Sequence, residues 1–497
     1  MSRNVSMIYT VVGILTAKTP IHMGGLDGGN PDSDMPLAVD GQGRYYVPGT
    51  SLAGALRQWT EVNLGTVVVQ SLWGFQEGKE GNASLFAVED GTISEGVLPE
   101  VRDGVGIDKK TGTARRRIKY STTILPRGTQ IEFQCSLSVI HDKDKSDAEG
   151  ALRLLLEALL DGRIRLGAQR TRGMGKVVLK KCFSITRSSL NTRQGIIDHL
   201  RGLDENVNVE SLPISQCSGS HRMEVVIHWH PTEPLMVKSG VDGIAVDGLP
   251  LVGGIDGDHV TLVMPGSSIK GVLSSRASLI VRTVTGQESE DKSSKASIVL
   301  ERLFGVSRAT AVSKDASKDA VEGMGMLAVD DCYATDSFER CMWKKFTTAL
   351  DDKEAKQAFA GTPVEDKMRE VYHVAIDRWT GGASDQKLFN QIEPQGIAWE
   401  PISLSLDFSR LEDQLDSQKE MMALLLLVLR DMASGRLQLG FGTNRGMGSV
   451  AIDHIILTPS GISWMKEGAD LNQGDIAALP PALIKNLQQA WQATIAN

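Results

Sequence analysis

The sequence predicts an α+β protein that contains two tandem copies of one domain, each with an antiparallel sheet and helices on one face. The chain has 497 residues, which exceeds the size at which a single hydrophobic core keeps growing. The same landmarks also recur in the same order in its two halves. In each half a strand, a loop, a helix, several strands, a second helix, a glycine-rich turn and a last strand follow one another. This order is close to a split β-α-β sandwich that leaves one face of the sheet open.

Three repeated segments carry the evidence for the duplication. A Pro-Gly step opens a helix after an acidic, glycine-rich loop, at 48–51 in the first half and at 265–268 in the second. The pattern Val-x-Ile-Asp-x-x-Thr-Gly occurs at 105–112 and again at 374–381. A glycine-rich turn that contains arginine precedes the last strand at 167–175 and at 440–448. Ordered matches of this kind indicate an internal repeat.

Hydrophobic periodicity predicts the main elements of each half. In the first half it predicts strands over 6–17, 83–89 and 130–139 and helices over 51–62 and 147–160, with Thr50 or Ser51 as the cap of the first helix. In the second half it predicts strands over 223–230 and 326–331 and helices over 267–281 and 417–434. The resulting domains are 1–185 and 222–460, joined by a linker at 186–221. Residues 286–321 are interpreted as a mobile insertion, and 461–497 as a C-terminal appendage with a helix near 482–493.

The composition is that of a globular protein and excludes several classes. With 41% hydrophobic and 23% charged residues, the chain is not disordered. Its longest apolar run, 421–429, is too short to cross a bilayer, and the N-terminus lacks a signal pattern, so we expect a cytoplasmic protein with no membrane partner. The five cysteines form no CxxC pair, which gives no support for a zinc site or a disulfide framework. A net charge of −8 argues against a generally basic nucleic-acid-binding protein, although basic residues concentrate in the first half.

Residues of the glycine-rich turn and of the Pro-Gly step suit contact with phosphate. Glycine lets a backbone approach closely, and Arg170 and Arg172 offer forked donors, as Arg445 does in the second copy. The alternative is a tight β-turn with incidental arginines. Thr50 and Ser51 supply donors at a helix N-terminus, where anions are favoured, although a plain helix cap would use the same residues. An open sheet face is a common place to bind single-stranded RNA. Only 5% of residues are aromatic, so we expect RNA on that face to be held through its phosphates rather than by base stacking.

The acidic loops contain the candidates for catalysis. These are Asp27, Asp32, Asp34 and Asp40 in the first copy and Asp242, Asp247, Asp256 and Asp258 in the second. Carboxylates near phosphates can hold a hydrated divalent cation, which neutralises developing charge and positions an attacking oxygen such as the 2′-hydroxyl of RNA. Aspartate is equally common in turns beside glycine and proline, and spacing alone does not select one position. His22, in the first loop, could contact RNA or could serve only as a hydrogen-bonded loop residue.

Together these motifs resemble the RAMP superfamily of CRISPR-associated proteins, and specifically the backbone subunit of type III effector complexes. The segments that carry the resemblance are 19–25, 34–37, 48–57 and 167–175, most of which have a counterpart in the second half. The likeness covers most of 1–457 and suggests two backbone subunits fused in one chain, similar to the subtype III-D arrangement. It implies two tandem modified ferredoxin-like (RRM-like) domains. It also implies a β-hairpin thumb in each half, with 105–129 and 374–396 as the best matches.

The resemblance also implies roles for individual residues. In the family an aspartate shortly before a proline in the first loop is required to cut target RNA, and Asp34 matches it in an Asp-x-Pro pattern. Asp247 is the matching residue of the second half, in a pattern one residue longer. Both are candidate catalytic residues and ligands of a divalent cation, Mg²⁺ or Mn²⁺. The implied RNA contacts are His22, Gly24, Gly25, Thr50, Ser51, Arg57, Arg170, Arg172, Ser267, Ser268, Lys270 and Arg445.

The implied function is that of a metal-dependent endoribonuclease in an RNA-guided antiviral complex. The guide duplex would hold a target nucleotide flipped at the thumb, and its 2′-hydroxyl would attack the adjacent phosphate. The implied partners are guide RNA, target RNA and other type III subunits, including the large polymerase-like subunit. Two alternatives stay open, a non-catalytic guide-RNA scaffold and a guide-processing RAMP endonuclease, which typically has one glycine-rich loop and a histidine-centred site.

Overall fold

The chain forms two compact units in the computed structural model. The structure describes residues 5–25, 33–108, 111–140, 145–214, 221–286, 294–306, 323–411 and 414–496. The first unit comprises Met1–Gly104, Tyr120–Arg170 and Met174–Ser220, and the second comprises Val105–Lys119, Thr171–Gly173 and His221–Asn497.

The first 214 residues supply thirteen strands and four helices to the described structure. The strands are β1 (Met7–Ala17), β2 (Tyr46–Val47), β3 (Phe75–Glu77), β4 (Glu80–Asn82), β5 (Phe86–Val88), β6 (Gly91–Thr92), β7 (Glu100–Ile107), β8 (Ala114–Ile124), β9 (Gln130–Val139), β10 (Arg172–Gly173), β11 (Val177–Leu179), β12 (Ser184–Ser189) and β13 (Glu205–Asn206). The helices are α1 (Gly49–Leu64), α2 (Thr66–Trp73), α3 (Lys145–Leu160) and α4 (Arg193–Leu200).

The remaining elements follow after residue 220. The strands are β14 (Arg222–Pro231), β15 (Val252–Gly254), β16 (His259–Met264), β17 (Leu327–Asp330), β18 (Cys332–Glu339), β19 (Met368–Ile376), β20 (Ala383–Pro394), β21 (Ile402–Asp407), β22 (Val450–Ser460) and β23 (Ala469–Asn472). The helices are α5 (Gly266–Thr285), α6 (Lys295–Phe304), α7 (Arg340–Thr348), α8 (Asp352–Ala358), α9 (Leu415–Ala433) and α10 (Pro481–Ile495). Short 3₁₀ turns lie at Val209–Ser211, Ser409–Leu411, Thr443–Arg445 and Ile476–Ala478.

The main sheet of the first unit has the ferredoxin-like strand order. Its path is β13-β12-β1-β9-β5, with β11 also paired to β1, and every pairing is antiparallel. The four strands of the βαββαβ order are β1, β5, β9 and the β11–β12 segment. Helix α1 follows the first strand and helix α3 follows the third. The spatial order is therefore 4-1-3-2. Apolar residues of both helices, such as Leu52 and Leu155, share one core with Val11 and Leu15 of β1.

The second unit repeats this arrangement in its own sheet. Its path β17-β21-β14-β22-β23 matches β5-β9-β1-β12-β13 strand for strand, again with antiparallel pairings. Helices α5 and α9 follow strands one and three. The two-residue strand β10, which belongs to this unit, pairs in parallel with β17. The prediction of two tandem α+β domains of ferredoxin-like type is confirmed.

The two helices after the Pro-Gly steps begin one or two residues earlier than predicted. Helix α1 begins at Gly49, and no side chain of its own first turn caps it, so the predicted cap by Thr50 or Ser51 is wrong. The Gly49 N–H instead donates to the Asp90 carboxylate at 2.6 Å. In the second unit the Gly266 N–H donates to the Asp331 carboxylate at 2.8 Å. A carboxylate from a distant loop therefore satisfies the helix N-terminus in both units.

The predicted linker and appendage are parts of the two sheets. The range 186–221 begins inside strand β12, which pairs with β1 along the six residues 184–189, and helix α4 follows it. Within 461–497, strand β23 pairs with β22, and helix α10 buries Leu483 and Leu487. These segments extend the two sheets at equivalent edges.

The predicted mobile insertion contains an element of the repeat. Helix α6 lies within 286–321 and buries Val299, Leu300 and Leu303. It ends at Gly305, which has a φ of +88°, as α2 of the first unit ends at Gly74 with a φ of +74°. The interpretation of the whole segment as an insertion is therefore wrong for α6, and residues 287–293 and 307–322 lie outside the described residues.

The predicted thumbs are hairpins that begin earlier than expected. The first is β7–β8, and the second is β19–β20. The repeated Val-x-Ile-Asp-x-x-Thr-Gly pattern forms the turn of each hairpin, not its start. In both turns the glycine N–H donates to the aspartate carbonyl, from Gly112 to Asp108 at 2.8 Å and from Gly381 to Asp377 at 2.9 Å. The outgoing strands were missed because they are largely exposed and carry no buried apolar alternation.

The most apolar run of the sequence lies inside helix α9. Its residues from Met421 to Leu426 are all buried in the core of the second unit. At the end of this helix the buried Asp431 carboxylate pairs with the Arg276 guanidinium of α5 at 2.7 Å. No helix in the part of the chain that the structure describes is long and apolar enough to cross a membrane.

Candidate nucleic-acid interface

The glycine-rich turn of the first unit is fastened to the loop that contains His22. The Ala168 N–H donates to the His22 carbonyl at 3.0 Å, and the Gly175 N–H donates to the Pro20 carbonyl at 2.7 Å. Gly167 adopts a φ of +75°, and a Cβ there would overlap the His22 carbonyl oxygen. Only glycine fits this close backbone approach.

The second unit uses the same contacts at matched positions. The Phe441 N–H donates to the Met236 carbonyl at 2.8 Å, and the Gly448 N–H donates to the Pro234 carbonyl at 2.9 Å. Gly440 has a φ of +82°, and a Cβ there would overlap the Met236 carbonyl oxygen. These contacts pair Gly167 with Gly440 and therefore align every residue of the two turns.

A cleft of about 360 Å³ lies beside this turn in the first unit. It lies between the first loop, one face of α1 and the turn, and its polar lining includes His22, Gly24, Ser51, Gln58 and Arg170. The Arg170 guanidinium donates to the Gln58 side-chain oxygen at 2.8 Å. The buried His22 ring hydrogen-bonds through Nδ1 to the Thr123 carbonyl at 2.8 Å. Four of the predicted RNA contacts therefore line one cleft, and one of them is a guanidinium that suits an anion.

Asp34 lies at the base of the first hairpin. Its backbone N–H donates to the Ser121 hydroxyl at 3.0 Å. Its Oδ2 accepts hydrogen bonds from the Ser121 N–H at 2.8 Å and from the Ser121 hydroxyl at 3.3 Å. The side chain is exposed, and its second oxygen, Oδ1, accepts no hydrogen bond from the residues that the structure describes.

Asp247 occupies the same place at the base of the second hairpin. Its backbone N–H donates to the Asn390 side-chain oxygen at 2.9 Å, and its Oδ2 accepts the Asn390 backbone N–H at 3.1 Å. Its side chain is also exposed, and in the described part of the chain Oδ1 again accepts no hydrogen bond. Each unit therefore presents one carboxylate oxygen that is anchored and one that is open.

A bridge three residues after each aspartate, together with the position of its anchor, shows that the two aspartates are equivalent. Three residues after Asp34, Leu37 bridges Gly24, and three residues after Asp247, Pro250 bridges Lys238. The anchors also match. Ser121 lies four residues before Leu125, whose N–H donates to the Ile21 carbonyl. In the same way, Asn390 lies four residues before Pro394, whose carbonyl accepts a hydrogen bond from the Leu235 N–H. The Asp-to-Pro spacing is longer in the second unit because its proline lies one position later. The segment from the aspartate to the bridge has the same length in both units.

All of the other loop carboxylates except that of Asp258 have local partners or lie outside the described residues. Asp40 closes a turn onto Arg44, and hydrogen bonds from the Arg44 and Gln42 backbone lower the pKa of its exposed carboxyl. Asp242 pairs with Lys238 at 3.3 Å, and the Asp256 carboxylate accepts the His259 N–H in a turn. Asp27 and Asp32 fall outside the described residues. Asp34 and Asp247 are thus the pair of loop aspartates at matched positions.

The described residues do not form a complete metal site. Nowhere in the described ranges do three or more His, Cys, Asp or Glu side chains form a group that could hold a metal ion. Asp34 and Asp247 each offer one open carboxylate oxygen, which fits a single ligand of a hydrated cation. Phosphate oxygens of bound RNA would have to supply further ligands.

The remaining predicted RNA contacts lie in varied surroundings. Thr50, Arg57, Ser267 and Arg445 are exposed and Ser268 is half-buried, and Arg445 stacks over the Phe441 ring at 5.0 Å. Gly25 packs so closely on Leu37 that a Cβ would lie 2.7 Å from the Leu37 carbonyl oxygen. Arg172 lies in β10. Lys270 is 6% exposed, and its ammonium donates to the Leu327 carbonyl at 2.7 Å, a location that does not favour contact with RNA.

Four residues that the sequence did not single out hold these features in place. Asp90 and Asp331 satisfy the helix N-termini, and Ser121 and Asn390 anchor the loop aspartates. Ser121 and Asn390 each lie nine residues after the last glycine of the repeated turn, so an alignment of the returning strands on that turn would have paired them. That signal was present in the sequence, although nothing in it indicated a contact with the acidic loops.

The protein thus consists of two ferredoxin-like units in tandem, and each unit has a glycine-rich turn, a hairpin and an exposed aspartate. The RAMP superfamily matches residues 14–178 and 233–451, one match in each half, and the chain belongs to this superfamily. Membership gives it a CRISPR-associated, RNA-binding function in complexes with RNA and other subunits. A search of curated proteins found no match.

Proposed function

We propose that the chain is a fused double backbone subunit of a type III CRISPR effector complex, which binds guide RNA and cleaves complementary target RNA. The observation that carries the proposal is the pair of matched aspartates, Asp34 and Asp247. Each lies exposed at the base of a long hairpin, with one carboxylate oxygen anchored on the returning strand. Two fused backbone subunits would be expected to present one such carboxylate each.

The cleft of the first unit is the proposed contact for the guide backbone. Its glycine-rich turn, the Ser51 face of α1 and the Arg170 guanidinium present donors to a phosphate. The aligned turns place Thr443 where the first unit has Arg170, and the aligned helices place Ser274 where it has Arg57. At these two positions only the first unit carries a cation, and we propose that it holds the guide phosphate more tightly.

The proposed reaction is attack of a target 2′-hydroxyl on the adjacent phosphate. A 2′-oxygen to phosphorus bond forms and the bond to the 5′-oxygen breaks, leaving a 2′,3′-cyclic phosphate and a 5′-hydroxyl. The open Oδ1 of Asp34 or Asp247 would orient the hydroxyl, water would accept its proton, and water would return a proton to the leaving oxygen. The predicted Mg²⁺ or Mn²⁺, held jointly by this carboxylate and RNA phosphates, would supply charge neutralisation when bound. DNA lacks the nucleophile and should remain intact.

The test is to assemble the complex with Asp34→Ala, Asp247→Ala and the double variant, and to map cuts on an end-labelled target. Each single change should remove one cut, and the double variant should remove both. Asp40→Ala is the matched control, because that carboxylate lies in the same loop but is bound to Arg44. The proposal fails if both single variants keep both cuts. Cleavage in EDTA, with and without added Mg²⁺ or Mn²⁺, tests the cation separately.

A second candidate function is a guide-RNA scaffold that does not cut. It is favoured by the lack, among the described residues, of a carboxylate or histidine cluster that could hold a metal ion. A wild-type complex that binds guide and target but produces no cut at either position would establish this alternative.

A further inference from the structure

Each site aspartate has a partner on the returning strand of its hairpin, and the two partners have different side chains. In the first unit the partner is Ser121 and in the second it is Asn390. We propose that Ser121 and Asn390 are positioning residues, which hold the open oxygen of Asp34 or Asp247 toward the target RNA. This inference rests on the proposed function.

The contact in the first unit fixes both the backbone and the side chain of Asp34. The Ser121 hydroxyl accepts from the Asp34 N–H and also donates to Oδ2, while the Ser121 N–H donates to the same oxygen. The backbone continues this pairing, since the Met35 N–H donates to the Ser121 carbonyl at 3.1 Å. With Oδ2 held twice, rotation of the carboxylate is restricted and Oδ1 is the oxygen left open.

In the second unit the asparagine Asn390 fixes the backbone and the side chain of Asp247. The Asn390 side-chain nitrogen donates to the Ala245 carbonyl and to the Glu370 carboxylate, both at 2.8 Å. Because these acceptors require the nitrogen, the side-chain oxygen must face the Asp247 N–H, at 2.9 Å. Asn390 is only 6% exposed, so this orientation is enforced by burial. The Asn390 backbone N–H then holds Oδ2 of Asp247.

Different residues make the same contacts in the two units, which indicates that these contacts hold the aspartate in position and do not serve local packing alone. Serine and asparagine differ in size and burial, yet both accept from the aspartate N–H and both supply a backbone donor to Oδ2. The contacts span 87 and 143 residues of sequence, so they join each acidic loop to a hairpin that is distant in the chain. A carboxylate that acts on a 2′-hydroxyl needs this restraint, because displacement of about 1 Å can cost about 100-fold in rate.

The experiment compares Ser121→Ala and Ser121→Thr in the assembled complex under single-turnover conditions. Ser121→Ala removes the hydroxyl and keeps the backbone N–H, so the cut that depends on Asp34 should slow about tenfold, as expected for loss of one hydrogen bond to a charged group. Target affinity and the cut that depends on Asp247 should not change. Ser121→Thr keeps the hydroxyl and should restore the rate. Asn390→Ala should slow the other cut alone.

The outcomes separate this inference from the proposed function. If Asp34→Ala removes a cut that Ser121→Ala leaves at the wild-type rate, the positioning role is overturned and the proposed function stands. If Ser121→Thr is as slow as Ser121→Ala, the effect is steric and the positioning role is again overturned. If Asp34→Ala removes no cut, both proposals fail. Equal guide content and thermal midpoint in all variants exclude a folding defect.

Discussion

The close approach of the glycine-rich turn to the first loop predicts a measurable cost for Gly167→Ala. Alanine at a φ of +75° costs about 1–2 kcal/mol. The new Cβ would also overlap the His22 carbonyl oxygen and lie 3.1 Å from the Met23 sulfur, and displacing such packed atoms costs about 1–3 kcal/mol. Together these terms lower the free energy of unfolding of the first unit by about 2–5 kcal/mol.

Gly202→Ala is the matched control for this substitution. Gly202 has a φ of +68°, but nothing lies within 4 Å of a Cβ placed there, so only the conformational cost of about 1–2 kcal/mol applies. We expect the thermal unfolding midpoint of Gly167→Ala to lie below that of Gly202→Ala. Affinity for guide RNA, measured by fluorescence anisotropy in the assembled complex, should fall only for Gly167→Ala. Equal midpoints and equal affinities for the two variants would refute the contact between turn and loop.

Three further predictions concern Arg170, Lys270 and Asp431. Arg170→Ala should weaken guide binding about tenfold and reduce its salt dependence, whereas Thr443→Ala at the matched position should change neither in filter-binding assays. Burial lowers the pKa of Lys270 to about 7, and the charge of Arg172 is a second cause. The Lys270 side chain therefore contributes stability above pH 10.5, and this contribution is lost as the pH falls toward 7. Denaturant titrations of Lys270→Met should therefore show a flatter stability profile across this window, and an unchanged profile would contradict the burial. Asp431→Asn should lower the free energy of unfolding by about 3 kcal/mol, because it breaks a buried ion pair with Arg276, while Asp470→Asn at an exposed pair should cost less than about 1 kcal/mol.

Much of the fold could be predicted because its signals are local. The Pro-Gly steps and amphipathic spacing indicated α1 and α5, and β-branched or apolar runs indicated β1, β9 and β14. The prediction of 130–139 for β9 matches its bounds. The predicted linker at 186–221 lacked such a signal because β12 is a short, mostly polar strand, whose pairing with β1 is a long-range contact. Helix α6 was hidden by the polar composition on either side of it.

The candidate site could be predicted only in part. Asp34, His22 and Arg170 were identified from motifs, and the structure brings His22 and Arg170 to one cleft. The one-residue difference in spacing obscured the equivalence of Asp247, because a sequence comparison aligns prolines, whereas the structure aligns hydrogen bonds. Lys270 looked like a phosphate ligand, yet its side chain reaches back into the core, which a position after Pro-Gly-Ser-Ser does not reveal.

The sequence by itself determined the duplication, the two ferredoxin-like units and the identity of the repeated loop, turn and helix. These follow from residue spacing along a helix or strand and from glycine in turns, which act over a few residues. Only the tertiary structure decided which carboxylates cap the helices, which residues anchor Asp34 and Asp247, and that Lys270 is buried. Those outcomes depend on contacts across 41 to 143 residues of chain, which form when the sheet and hairpins assemble and leave no local pattern.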